Sequence, residues 1–458
     1  MSDVPLRNAG RPSAPRFTPP NGWMNDPNGL IHFEGEWHLF YQYLPEGGRG
    51  GKHWGHAVSR DLVHWEDLTI ALFPDELGEI FSGSCVSDAR DSSGFFEGGS
   101  GLVAIFTHHL DRDGTTMQSQ SLAYSRDRGR TWTKHAGNPV LASERRDFRD
   151  PKVFWHEPSR TWVMILAAGD RLELYRSRDL KEWSFSSAFG EMPEGWCWEC
   201  PDLFALRDEG GREIWVVTVS TLDHANFRNA FGRCDTYYFS GAFDGHAFTP
   251  AGGMRRLSFG PDDYAAVTFA NAPRDRRILI GWQNHWGYPW HSGQMTLPRE
   301  LRWDGASGSL VQLLPEEVDG ADAWSRLIPD SQNVLRTDAM EWEVRIPPDL
   351  AEWRLVVRRA DQIVFTLERD TGRREWILQR ADGSFPAEWE GKKEKMRETF
   401  TAPRRAPFAA ASGDHRVLVG SHSVEAFCDG GRVYFSAQLF PGEGSWEASL
   451  QTRLNSEA

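Results

Sequence analysis

The chain has 458 residues, 40% of them hydrophobic and 25% charged, with a formal charge of −14. That length exceeds one ordinary hydrophobic core and predicts two domains or one large repeat assembly. The acidic balance excludes nucleic acid and anionic membrane as partners, because both need a basic stripe, and a neutral small-molecule ligand fits better. No run of 18 apolar residues occurs, so no membrane span is expected. MSDVPLRNAGRPSAPRF lacks the apolar centre of a secretory signal, which predicts a cytoplasmic protein. Five cysteines, odd in number and unpatterned, suit free thiols in a reducing compartment. Cys197 and Cys200 form a CxxC, but no second pair or nearby His pair completes a zinc set, so no metal is expected. The 21 Trp and 27 Phe supply stiff amphipathic rings of the kind that stack on the C–H faces of sugars.

In chain order, the first distinctive stretch is WMNDPNG (23–29). Pro27 biases Asp26 toward an extended conformation, and Asn28-Gly29 predicts a turn that tolerates positive φ. Strand-like runs then recur at intervals of 51–64 residues: HLFYQY (38–43), LVAIFTHH (102–109), WVMILAA (162–168), EIWVVTVS (213–220) and RILIGWQN (277–284). SRDLVHW (59–65), SRDRGRTW (125–132) and SRDLKEW (177–183) follow the first three, and a degenerate SGAFDGHAF (240–248) follows the fourth. Each predicts a hairpin corner in which Asp accepts backbone amides before a buried Trp. Five strand-rich units without a 3.6-residue apolar period predict an all-β fold, a five-bladed β-propeller over 15–305. A connecting stretch covers 306–338. Short alternating strands over 339–458 predict a β-sandwich, with Val433, Phe435, Ala437 and Leu439 on one face of RVYFSAQLF. The charged segment 391–407 reads as a solvated loop.

Three carboxylates sit near strand starts. Asp26 is held by Pro27, and Asp150 lies in FRDP beside Arg149, whose guanidinium favours the ionised acid. Glu199 lies in WCWECPDLF, where Trp196, Trp198 and Cys200 predict desolvation and a raised pKa. Taken singly, they also read as an Asx-capped turn, a surface ion pair and a buried structural Glu. In a propeller, the corresponding ends of the inner strands converge on one mouth. A nucleophile, an acid and a third carboxylate gathered there are what retaining glycoside hydrolysis needs.

WMNDPNG, FSGS (81–84), FRDP and WECPDLF, in that order, resemble glycoside hydrolase family 32, which includes invertases, levanases, inulinases and fructosyltransferases. The resemblance implies a five-bladed propeller joined to a β-sandwich, and release of β-D-fructofuranosyl units without metal or organic cofactor. It further implies Asp26 as nucleophile, Glu199 as acid/base and Asp150 as transition-state stabiliser. Asn25, Gln42, Trp54, Phe81, Ser82 and Arg149 match positions lining the fructose pocket. Asp263 and Tyr264 in DDYAAVTF and Trp282 in GWQN match later pocket motifs. Trp54 and Trp282 also fit a plain blade core. The chain departs from the family at Leu44, where many members have Asn before the proline. It departs again at EGGRGGK (46–52), where many members carry a Trp that walls the leaving-group side. These departures leave the preferred aglycone open; the expected intracellular location, out of reach of long levan or inulin, points to β-fructofuranosidase action on sucrose and short fructo-oligosaccharides. A fructosyltransferase, a levan- or inulin-directed hydrolase and a non-catalytic sugar-binding propeller are the alternatives.

Overall fold

The computed structural model describes residues 15–45, 50–192, 195–223, 235–284, 293–327, 333–385, 394–409 and 413–452. The chain is all-β; its α-helical segments among the described residues are Glu316–Asp319 and Glu394–Thr401. Residues 23–313 form five consecutive antiparallel sheets, each with four principal strands paired in chain order. The five runs rich in β-branched and aromatic residues are the second strands, Glu36–Leu44, Gly101–Arg112, Thr161–Ala168, Glu213–Asp223 and Arg277–Asn284. The first strands are Trp23–Phe33, Glu79–Asp88, Phe148–His156, Trp196–Arg207 and Tyr264–Thr268. They contact one another in that order, and the fifth contacts the first. Main-chain bonds of 2.9 Å, from Ala270 N–H to Leu30 O and from His32 N–H to Ala270 O, tie the fifth sheet to the first.

Each neighbouring pair of sheets buries an apolar cluster between its faces. Phe40, Trp54, Ala104 and Phe106 join the first and second sheets. Val163, Ile165, Leu203 and Val217 join the third and fourth. At the hairpin corners, Asp61 accepts the amides of Val63 and His64, Asp179 those of Lys181 and Glu182, and Asp244 those of His246 and Ala247. The tryptophans that follow are half-buried, not buried as expected. Trp132 and Trp183 instead turn their indole N–H back onto the corner, donating to Gly129 O at 3.0 Å and Leu180 O at 2.8 Å.

The later strands make two sheets. One orders Ser325–Leu327, Trp342–Ile346, His415–Gly420, Ser423–Cys428 and Val433–Gln438. The other orders Val334–Thr337, Trp446–Thr452, Trp353–Arg359, Gln362–Asp370, Glu375–Arg380 and Arg404–Pro407. Val433, Phe435, Ala437 and Leu439 enter the apolar cluster that the strands of both sheets share, as the alternation predicts. The opposite face of that strand is also buried. Tyr434 joins the core of the first and fifth sheets, and Ser436 accepts a hydrogen bond from Gln283 Nε2 at 2.7 Å. Asp262 fastens the same seam, accepting from Arg380 at 2.7 Å and from the Gln438 amide at 2.8 Å.

Two expectations differ from the structure. The charged segment 391–407 is not simply a loop: it contains the helix Glu394–Thr401 and the edge strand Arg404–Pro407. Phe400 packs inward at 2% exposure, against Phe385 and under the Arg380 guanidinium, so the charges form only one side of the segment. The connecting stretch 306–338 itself contributes strands to the sheets on both sides of it. Ser309–Leu313 completes the fifth sheet, while Ser325–Leu327 and Val334–Thr337 belong to the later sheets.

Candidate active site

Every first strand of the five sheets carries a register shift near its start. A bulge leaves residues unpaired, bends the strand and re-aims a side chain. Here the shifts fall between Met24 and Pro27, Ile80 and Gly83, Arg149 and Lys152, Glu199 and Asp202, and Tyr264 and Val267. Asp150 and Cys200 adopt φ of 62° and 48°, a left-handed conformation that non-glycine residues rarely hold. Asn28-Gly29 is not the turn expected from its sequence: it lies within the strand Trp23–Phe33. Gly29 does take positive φ, 54°, and a Cβ there would stand 2.6 Å from the Phe40 ring. Asn28 is fully buried and accepts the Gly83 amide at 3.2 Å, fixing the first strand to the second sheet.

These bulges bring Asp26, Asp150 and Glu199 together from three sheets. Cys200 Sγ lies 3.5 Å from Asp26 Oδ2 and 3.6 Å from Asp150 Oδ2, so one thiol touches both carboxylates. Arg149 Nη2 donates to Glu199 Oε1 at 2.8 Å, and its Nε stands 3.8 Å from Asp150 Oδ2. Ser82 Oγ donates to Asp26 Oδ2 at 2.6 Å and itself accepts from Gln42 Nε2 at 2.5 Å. Tyr264 donates its hydroxyl to Glu199 Oε2. The Cys200 amide donates to Asp150 Oδ2 at 2.9 Å.

The electrostatics differ from the expectation. Burial pushes the Asp150 carboxyl up to about 7, with the charges of Glu199 and Asp26 adding to it; Arg149 opposes the rise without reversing it. The rise persists because the terminal nitrogens of the guanidinium are spent on Glu199 and on Asp147 Oδ1 at 2.6 Å, leaving Nε 3.8 Å from Asp150 Oδ2. Burial also raises Asp26, while the Ser82 hydrogen bond and the Lys52 charge work against it. Of the apolar residues expected around Glu199, Trp198 turns away into the core between the third and fourth sheets, and Arg149 and Tyr264 meet the carboxylate with polar groups. Cys200 stays a thiol, since burial and then the neighbouring Asp150 and Asp26 disfavour its anion.

The structure sorts the expected pocket residues into two groups. Gln42, Ser82, Arg149 and Tyr264 touch the three acids directly. Asn25 is half-buried beside Asp26, and Phe81 is half-buried beside Ser82. Trp54 is fully buried; it packs on Phe40 and Phe106 and donates its indole N–H to Phe81 O at 2.9 Å, so it supports the site from beneath. Asp263 points away into a buried bidentate pair with Arg299, at 2.8 and 2.9 Å, because the next residue, Tyr264, takes the site-facing position. Trp282 is core: it faces Tyr264 across the ladder and packs with Met295 and Leu297. Residues 46–49 of the glycine-rich rim lie outside the described residues.

Cys200, Asp147 and Lys52 belong to the site without having been singled out for it. Cys200 had one sequence signal, its place directly after Glu199 in a strand where a bulge would turn both inward. Asp147 had its spacing of two from Arg149. Lys52 had only its place at the end of the segment that departs from the family pattern.

The model of the glycosyl hydrolases family 32 N-terminal domain matches residues 16–313. A levanase of Bacillus subtilis (strain 168) is 40% identical over 94% of this chain and 66% of its own length. An extracellular exo-inulinase of Aspergillus awamori is 39% identical over 68% of this chain and 65% of its own length. A second levanase, from Bacillus sp. (strain L7), is 34% identical, and the chain spans 49% of it. The chain thus spans between about half and just under two thirds of these curated relatives. Among solved structures, the A. awamori exo-inulinase superposes with a TM-score of 0.80 at 29% identity, covering 95% of this chain and 94% of that one. A β-fructofuranosidase from Schwanniomyces occidentalis, complexed with fructosyl-erythritol, gives 0.79 at 25% identity, covering 98% and 95%. With the domain model matched over well more than half its length, this chain belongs to glycoside hydrolase family 32.

Proposed function

We propose that this protein is an exo-acting, retaining β-fructofuranosidase that releases terminal fructose from sucrose and short fructo-oligosaccharides. The observation that carries this reading is the meeting of Asp26, Asp150 and Glu199 around one thiol and one guanidinium. Asp26 attacks the anomeric carbon of the fructosyl unit as the bond to the leaving oxygen breaks, and Glu199 gives that oxygen its proton. Glu199 then takes a proton from water, whose oxygen displaces the Asp26 carboxylate and frees fructose. Asp150 hydrogen-bonds the fructosyl hydroxyls and steadies the positive charge of the oxocarbenium-like transition state. Arg149 and Tyr264 orient Glu199; Ser82 and Gln42 orient Asp26.

The scaffold we infer is a five-bladed β-propeller followed by a β-sandwich. Five meandering sheets with first strands in mutual contact support the first, and two sheets sharing one apolar cluster support the second. The division read from the sequence is 15–305, 306–338 and 339–458; the strand Ser309–Leu313 supports extending the first unit to 313.

A fructan-directed hydrolase with the same three acids is the second reading, favoured by the names of the levanase and exo-inulinase relatives. The test is to profile products from sucrose, 1-kestose, inulin and levan. Free fructose from sucrose and kestose at higher kcat/KM than from either polymer supports the first reading; the reverse order supports the second. Asp26→Asn and Glu199→Gln are each expected to lower kcat by roughly three orders of magnitude or more while leaving the circular-dichroism spectrum unchanged. Near-normal turnover in either variant removes that residue from the mechanism.

A further inference from the structure

We propose that Lys52 reads the leaving group: its ammonium, lying over the rings of Phe81 and Trp23 on the strands that carry Ser82 and Asp26, donates hydrogen bonds to hydroxyls of the departing sugar. This rests on the fructosidase reading above. Lys52 Nζ lies 4.0 Å from the Phe81 ring centroid and 5.4 Å from that of Trp23. The His109 ring is stacked on Phe81 at 4.1 Å and 5°. Two groups this close to one centroid, one of them a parallel ring, cannot share a face. Phe81 is therefore sandwiched between Lys52 and His109, and only its edge remains for a ligand.

The rings hold the ammonium without satisfying it. Cation–π attraction uses the charge but leaves the N–H groups without lone-pair acceptors. Among the described residues Nζ has no hydrogen-bond acceptor and no carboxylate within ion-pair distance; the bonds of Lys52 are main-chain ones, its amide donating to Glu79 Oε2 at 3.3 Å and its carbonyl accepting the Ile80 amide at 2.9 Å. Yet the charges that act on it most strongly are Asp26, Glu79 and Glu199, with Arg149 opposing, and His109 faces it across Phe81. A half-buried ammonium over Phe81, the neighbour of the Ser82 that donates to Asp26, with no acceptor for its donors among the described residues, suits a ligand rich in hydroxyl oxygens. Lys52 closes the segment EGGRGGK (46–52), in which the sequence lacks the tryptophan common in the family. Stacking on an indole favours a leaving group by area, whereas an ammonium favours it by directed hydrogen bonds and makes recognition depend on hydroxyl placement.

The test compares sucrose, whose leaving group is glucose, with methyl β-D-fructofuranoside, whose leaving methanol offers no further hydroxyls. Wild-type protein must release fructose from both; release from neither overturns the fructosidase reading itself. In Lys52→Met, which keeps the stem against Trp23 and Phe81, the ratio of kcat/KM for sucrose over the methyl fructoside is expected to fall about tenfold or more, the loss set by a hydrogen bond to a charged donor. The loss should appear mainly in KM for sucrose. Lys52→Arg, which retains charge and donors, should recover part of the ratio and serves as the measurement should the methionine variant fail to fold. An unchanged ratio in Lys52→Met, or a ratio lowered equally in both variants, overturns the proposal and leaves Lys52 a packing residue.

Discussion

Replacing Asp150 with Asn should stabilise the protein at neutral pH while abolishing activity. Asp150 is 5% exposed, and burial together with two acidic neighbours raises its carboxyl from the ordinary 3.8 to about 7. A carboxyl with a higher pKa folded than unfolded binds a proton on folding. Its stability contribution is therefore fully present below 3.8, declines as pH rises through the window up to 7, and is lost above it. The gap is about three pKa units at 1.36 kcal/mol each, which sets a ceiling of about 4 kcal/mol on the penalty above pH 7. Asn is neutral at every pH, nearly isosteric, and can still accept the Cys200 amide that Asp150 Oδ2 accepts at 2.9 Å. Urea unfolding of wild type and Asp150→Asn at pH 4, 5.5 and 8 measures the difference. The expected gain is near zero at pH 4 and at least ~1 kcal/mol at pH 8, with kcat reduced by orders of magnitude throughout. A gain independent of pH, or a variant less stable than wild type at pH 8, would refute the assignment of Asp150 as a strained buried acid.

Two other substitutions probe the scaffold. Arg299→Met strands the Asp263 carboxylate, which accepts both guanidinium nitrogens at 2.8 and 2.9 Å in a site with no solvent exposure on either side chain. A loss of about 3–5 kcal/mol in chemical unfolding is expected, and a loss below ~1 kcal/mol would mean the pair contributes little. Gly29→Ala places a Cβ 2.6 Å from Phe40 Cδ2 and 3.0 Å from Trp54 at a φ of 54°. It should cost about 2 kcal/mol or more and lower kcat, because the strand it distorts also positions Asp26. A variant with wild-type melting temperature and turnover would show that the strand tolerates the shift.

The sequence alone determined what local chemistry can record. Recurring runs rich in β-branched and aromatic residues marked the second strands of the five meandering sheets, and period-two alternation marked which face of Val433–Leu439 enters the cluster shared by the two later sheets, because the side-chain period of a strand is a property of the backbone. The Ser-Arg-Asp corners were legible for the same reason: an Asp and the amides it accepts lie within a few residues of one another. The acids Asp26, Asp150 and Glu199 were legible through their motifs. Tertiary structure alone decided their surroundings. Arg149 looked like the partner of the adjacent Asp150, yet a bulge turns its terminal nitrogens to Glu199, fifty positions away, and to Asp147. Asp263 looked like a pocket residue, but a register shift gives that place to Tyr264 and sends Asp263 to Arg299. Trp54 was ambiguous between wall and core until the neighbouring sheet covered it. Each of these outcomes depends on a one-residue offset in a strand or on a partner far along the chain. Composition, periodicity and motif spacing carry neither, because moving a strand by one residue exchanges its two faces without changing a letter of its sequence.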